Sequence, residues 1–166
     1  MAGAVRLRPD GGLRVTLTRR EHAALGALPA QLRAVIDGSA DSTLAEAVRM
    51  RLFPRAYEDD ELDAEFRRLA ADDLARGRLD QLAIFESTLE RPLPPRGKVR
   101  IDLDPDEAVA WLAVVNDTRL MLGAALGITT EAQWEDEPDS EAAASVLLWY
   151  LGWLEEGLVQ AMMGSL

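Results

Sequence analysis

The chain has no cysteine, a single histidine and a single lysine, and aromatic residues make up 5% of its 166 positions. Without thiols there is no disulfide, no thiolate metal site and no cysteine nucleophile. The lone histidine, His22, excludes a di-iron carboxylate bundle, which needs two Glu-x-x-His motifs. A Ser–His–Asp triad would have to recruit His22 itself, placed just after a helix-capping residue. No Gly-x-Gly-x-x-Gly or Walker-type phosphate loop occurs. Long hydrophobic runs are also missing. Residues Met1 to Arg6 lack the apolar stretch of a signal peptide, and the longest uncharged apolar run, Ala142 to Leu154, is too short to span a bilayer. The expectation is a soluble cytoplasmic protein with no membrane contact, no catalytic residues, no metal and no cofactor.

What is present is enough apolar material for one core: 48% of the residues are hydrophobic. Charge is unevenly placed within the net −11. Residues 1–57 hold nine arginines against five acids, whereas residues 58–166 hold nine basic residues against 24 acids. No basic residue follows Arg119. A surface this acidic repels polyphosphate, which argues against nucleic acid as a partner. The arginines at 6, 8, 14, 19 and 20 are expected to face the acidic C-terminal half.

Val5 and Leu7, then Leu13, Val15 and Leu17, alternate with polar residues around Pro9-Asp10-Gly11-Gly12, a hairpin signal. Thr18-Arg19-Arg20-Glu21 reads as a capping box, starting a helix to about Ile36 that Pro29 splits or kinks. Ser42 caps a helix through about Leu52, and Phe53-Pro54 ends it. Another helix is expected from Glu58 to Ala75, with Gly77 punctuating it before a segment reaching Glu90. Lys98 to Leu103 alternates again and could join the hairpin. Asp104-Pro105-Asp106-Glu107 starts a helix to about Leu126. Gly127 to Asp139 reads as an acidic loop, and Asp139 or Ser140 as the cap of a last helix ending near Met163.

Leu13 to Glu21 aligns with Val99 to Glu107 at an offset of 86 residues, and the match continues through Ala24/Ala110, Ala27/Ala113 and Arg33/Arg119. Two readings stand: a pair of strand–cap–helix units related by a pseudo-twofold, or the generic appearance of a strand followed by a capped helix.

The segment 104–126 is the most unusual. From Ala108 to Leu126 its polar residues are Asn116, Asp117, Thr118 and Arg119, which fan over about 300° of helix azimuth. A helix apolar on nearly every side cannot put all four into water. Arg119 lies in line with Trp111, Val115 and Leu122, so it should be partly enclosed and needs a carboxylate. Asp59, Asp60 and Glu65 are the candidates. Either these form a buried ion-pair network between helices, or Arg119, Asn116 and Tyr57 bind an anion or a partner's terminus.

Other arrangements fail on spacing or charge. Asp102, Asp104 and Asp106 imitate a calcium loop, but Glu107 replaces the required glycine and Ala113 the bidentate glutamate. Glu58-Asp59-Asp60-Glu61 suits a solvated helix start better than a cation site. A DNA-reading helix-turn-helix around Gly77 would present Asp80, Glu86 and Glu90 to the groove, the wrong sign. The uncharged stretch Ala142 to Leu154, with Trp149, Tyr150 and Trp153, is either a central core helix or a face completed by a second copy in a homodimer.

Taken together, Leu52-Phe53-Pro54, Ala56-Tyr57, Asp59-Asp60, Glu65-Phe66-Arg67, Asn116-Asp117, Arg119-Leu120, Leu122-Gly123, Trp153-Leu154 and Leu158-Val159 resemble a family of actinobacterial proteins known as a domain of unknown function. Its members look like proteins encoded beside the ClpS proteolytic adaptor, and some carry a transcriptional-regulator label. The resemblance implies a mainly helical domain and supplies no catalytic residue.

The expectation is therefore one mainly α domain, residues 1–166, with a small antiparallel sheet made of the hairpin and the strand near 98–103. It would act as a non-enzymatic regulatory or adaptor protein through an unidentified protein partner. A transcription-associated regulator and a small-anion-binding domain using the Arg119 region are the alternatives.

Overall fold

The computed structural model describes residues 4–135 and 141–164. Three antiparallel strands, β1 (Ala4–Leu7), β2 (Leu13–Leu17) and β3 (Val99–Leu103), form a sheet in that order. The helices are α1 (Arg19–Gly26), α2 (Pro29–Ile36), α3 (Thr43–Leu52), α4 (Asp60–Leu89), α5 (Pro105–Ala125), α6 (Glu131–Glu135) and α7 (Ala143–Met163). The mainly α architecture with a small sheet is as the sequence predicts.

Alternation sets the sheet's faces. Leu13, Val15, Leu17, Val99, Ile101 and Leu103 are buried against the helices. On the opposite face Arg14 meets Asp102 through a bidentate pair at 2.6 and 2.7 Å. Gly11 takes φ +85° at the hairpin turn, the left-handed backbone that glycine adopts without steric cost.

The predicted capping box at Thr18–Glu21 forms, and the predicted helix start at Asp104 also carries one. The Thr18 hydroxyl accepts from the Glu21 amide, and Glu21 accepts in return from the Thr18 N–H; Asp104 and Glu107 repeat the exchange at 2.8 and 3.0 Å. The 86-residue echo is structural at the sheet. β2 and β3, the two strands of the echo, pair antiparallel with Val15 opposite Ile101. Buried positions keep the offset into the helices: Leu25 with Trp111, Leu28 with Val114, Leu32 with Thr118 and Val35 with Met121.

Pro29 does split the first helical segment, because its nitrogen has no proton to continue the ladder. Gly77 does not punctuate the next one. α4 runs unbroken for 30 residues, so the expected division at Gly77 is wrong. A mid-helix glycine costs about 1 kcal/mol, too little to break a helix held by packing at both ends. No helix-turn-helix exists there. Within the expected acidic loop, α6 forms a short helix whose start is tied by Gln133, which accepts from the Thr129 and Thr130 amides at 2.9 and 3.0 Å. The proposed caps Asp139 and Ser140 lie outside the described residues. α7 itself begins after Ala142 without a side-chain cap.

At the core, Trp111 of α5 packs on Phe85 of α4 with ring centroids 4.8 Å apart, worth about 0.5–1.5 kcal/mol beyond area burial. The indole N–H donates to Thr88 Oγ1 at 2.8 Å, and the Thr88 hydroxyl donates to the Phe85 carbonyl at 2.7 Å. α7 lies along α5 and crosses β1, where Gly157 faces Val5. Leu148, Leu151, Leu154 and Leu158 are its buried stripe, while Val146, Trp149, Val159 and Met163 are exposed. Among the described residues no helix is long and apolar enough to cross a membrane.

Candidate functional site

Pro54 follows the last turn of α3 and prevents the helix from continuing, so carbonyls at its C-terminus need other donors. Two arginines of α4 supply them. Arg78 Nη2 donates to the Leu52 carbonyl at 2.7 Å, and Arg67 Nη2 donates to the Phe53 carbonyl at 3.2 Å. The Arg78 guanidinium also lies over the Phe53 ring, 5.2 Å from its centroid.

Asp63, buried one turn into α4, organises the intervening loop. One carboxylate oxygen accepts the Ala56 and Tyr57 amides at 2.8 and 3.4 Å, and the other accepts Arg67 Nε at 2.9 Å. The Arg67 guanidinium, helped by the two amides, holds the Asp63 carboxyl below the usual carboxylate range against the opposing effect of burial. Arg55 donates to Asp60 at 2.6 Å and to the Tyr57 and Glu58 carbonyls. Arg49 donates to Glu46 at 2.7 Å and to the Val35 carbonyl at 3.3 Å.

These residues enclose an open groove of about 530 Å³ between α3, the 53–59 loop and α4. Its apolar lining comes mainly from Leu52, Phe53, Pro54, Phe66, Leu74 and Ala75. Its charged lining is Arg49, Arg55, Arg67 and Arg78 with one carboxylate, Asp72. The four arginine side chains are between 31% and 45% exposed, so they remain available to a second molecule.

The sequence-predicted residues separate into two places. Tyr57, Asp59, Asp60 and Glu65 lie in the 53–59 loop and the first turns of α4, and none of them lines the groove. Tyr57 is exposed and meets Phe66 edge-on at 6.0 Å; Asp59 caps α4 by accepting from Leu62; Asp60 pairs with Arg55; Glu65 pairs with Arg68. None of the three acids reaches Arg119, which corrects the expected network. Arg119 pairs with Glu155 of α7. Trp134 stacks over its guanidinium at 5.4 Å, and a Cβ on Gly152 would stand 3.5 Å from Nη2. Trp134 in turn occupies the space that Gly123 leaves open. Arg119 thus serves the packing of α5, α6 and α7, and Asn116 beside it is exposed.

The more deeply enclosed charge on α5 is Asp117, 3% exposed and bonded to Arg78. Burial pushes its carboxyl up, partly countered by the Arg78 hydrogen bond. Sequence reasoning missed Asp117, Arg78, Asp63 and Arg67. One signal was available: Asp117 falls in the helical line of Ala110, Val114 and Met121, the buried face of α5, whereas Arg119 lies at its margin.

The N-terminal arginines are largely engaged. Arg8 and Arg14 meet Asp102, and Arg19 donates to the Pro94 carbonyl. Among the described residues no cluster of three or more His, Asp or Glu could hold a metal ion.

Residues 2–162 match the family described as "Domain of unknown function (DUF2017)". The chain belongs to that family. The match takes in every strand and helix except the final residue of α7, so the groove, the Asp63-centred loop and the Arg119 cage all lie within the DUF2017 domain. No curated protein and no solved structure matches the chain.

Proposed function

We propose that this DUF2017 domain is a non-enzymatic, cytoplasmic regulatory or adaptor protein that acts by holding part of a partner protein in the groove between α3 and α4. The observation that carries this is the lining itself: an apolar trough beside four guanidiniums that intramolecular bonds already hold in place. A pocket of this size with a few oriented polar groups suits recognition, and pre-positioned side chains lower the ordering cost of binding. The lining offers side chains that grip; the reactive groups of an enzyme would have to come from elsewhere.

A transcription-associated regulator has less support, since Arg8, Arg14 and Arg19 of the basic stretch already have partners. Small-anion binding at Arg119 has less support for the same reason: Glu155 and Trp134 cover that guanidinium. A homodimer would use the exposed apolar side chains of α7.

The test is gentle affinity isolation from the source followed by native mass spectrometry, comparing wild type, Leu74→Glu in the groove and Val159→Glu on α7. Both positions are exposed, so neither change disturbs the core. A second protein retained by Val159→Glu and lost by Leu74→Glu is the expected result. A homodimer lost by Val159→Glu would assign that face to a second copy. A partner that survives Leu74→Glu would overturn the groove as its site.

A further inference from the structure

Resting on that reading, we infer that the groove takes an acidic segment of the partner protein: a bulky apolar side chain seated among Leu52, Phe53, Phe66 and Leu74, with aspartate or glutamate on either side meeting Arg55 and Arg67. Charge complementarity carries the choice of occupant. Four of the charged side chains lining the groove are arginines and one is an aspartate. The carboxylates that pair with these arginines, Glu46, Asp60, Asp63 and Asp117, lie outside the lining, so the preference for an acidic occupant rests on the guanidinium donors that these pairs leave free.

Each arginine has an internal carboxylate partner, and this orients the guanidiniums without exhausting them. Arg55 uses Nε and Nη2, and Arg67 likewise uses Nε and Nη2. Among the described residues Nη1 of both has no hydrogen-bond acceptor within the chain, so each retains donors for an incoming carboxylate. The fork of a guanidinium favours planar carboxylates over point contacts. The apolar part of the groove is broad enough for one aromatic or branched side chain with its neighbours, so affinity would come from the apolar anchor and selectivity from the flanking acids.

The experiment is selection of a phage-displayed random dodecapeptide library against the immobilised full chain, with Leu74→Glu as counter-target. The best peptide is then made with a fluorescent label and titrated by anisotropy. The expected result is enrichment of a bulky apolar residue with Asp or Glu within three positions. Binding should vanish in Leu74→Glu and weaken about tenfold in Arg55→Gln, or when the flanking acids become lysine. Groove-dependent peptides without acidic residues, or with basic ones, would overturn the inference while leaving the protein-binding reading standing. Failure to select any groove-dependent peptide would overturn the inference, and the proposed function too if no protein is captured. A wild-type dimer that Leu74→Glu dissociates would also overturn it, by giving the groove to a second copy.

Discussion

Arg119 and Glu155 should show strong energetic coupling. The guanidinium is 26% exposed and the carboxylate 19%, so neither is fully withdrawn from water. Removing one member of a fully buried pair costs roughly 3–5 kcal/mol, because the other charge is left without a partner. Residual solvent screening lowers the figure here to about 2 kcal/mol. Arg119→Met keeps the aliphatic stem against α7 and removes the charge, stranding Glu155. Glu155→Leu strands Arg119, whose Nε is already buried without an acceptor. Each single change should therefore lower Tm by about 4–8 °C in a domain of this size.

The double variant Arg119→Met/Glu155→Leu strands nothing and replaces both charges with apolar atoms. Its stability should return to within about 1 kcal/mol of wild type, giving a coupling of about 3 kcal/mol in a double-mutant cycle. Thermal and urea unfolding followed by circular dichroism and Trp fluorescence would measure it. Additive losses near 4 kcal/mol would refute the reasoning, showing that the two side chains stabilise the fold through separate contacts.

Four further outcomes concern other parts of the fold. Thr88→Val removes the acceptor of the buried Trp111 N–H and should cost about 1–3 kcal/mol by urea unfolding, with the Thr88 bond to the Phe85 carbonyl lost as well. Gly77→Ala places its Cβ in open space within α4 and should stabilise by about 0.5–1 kcal/mol; Gly12→Ala would set a Cβ 2.5 Å from the Leu103 carbonyl and should destabilise by about 1–3 kcal/mol, both read from thermal unfolding. Asp63 and Asp102 have carboxyls held below the usual value of 3.8 by Arg67 and Arg14, so their stabilising contribution is complete above that pH and is lost as pH falls through the lower folded value. Tm should drop steeply below about pH 4, and the slope should be shallower in Asp63→Asn; an unchanged slope would remove Asp63 from the account.

What the sequence made legible was local. The capping box at Thr18–Glu21 and the capped helix start at Asp104–Glu107 span four residues each, and the alternation of β2 and β3 needs five residues to read. Pro29 could be interpreted without knowing any neighbour, because the missing N–H belongs to the residue itself. Gly77 could not, since its effect depends on what holds the flanking turns of α4. The charge pairs were hidden for the same reason. Arg78 meets Asp117 across 39 residues and Arg119 meets Glu155 across 36, distances over which periodicity says which face a residue occupies but not what lies opposite. Choosing Asp59, Asp60 and Glu65 for Arg119 matched charge to charge without that second half of the geometry.

Phe53-Pro54 shows how far a local signal can reach once the packing is known. The proline ends α3 and leaves backbone carbonyls without helical donors; Arg67 and Arg78 arrive from α4 to satisfy them, and the same two guanidiniums line the groove. Helix termination and groove chemistry therefore share one cause. Loss of binding in an Arg67 or Arg78 variant would confound a loosened α3 terminus with a lost contact, which is why Leu74 and Arg55 discriminate better. Leu74 makes up part of the apolar lining without bonding any carbonyl. Among the described residues Arg55 bonds only its own loop and Asp60, with a more distant approach to Asp63. If the groove is the binding site, changes at these two positions should reduce affinity while leaving the unfolding midpoint within about 2 °C of wild type, as expected of substitutions away from core contacts.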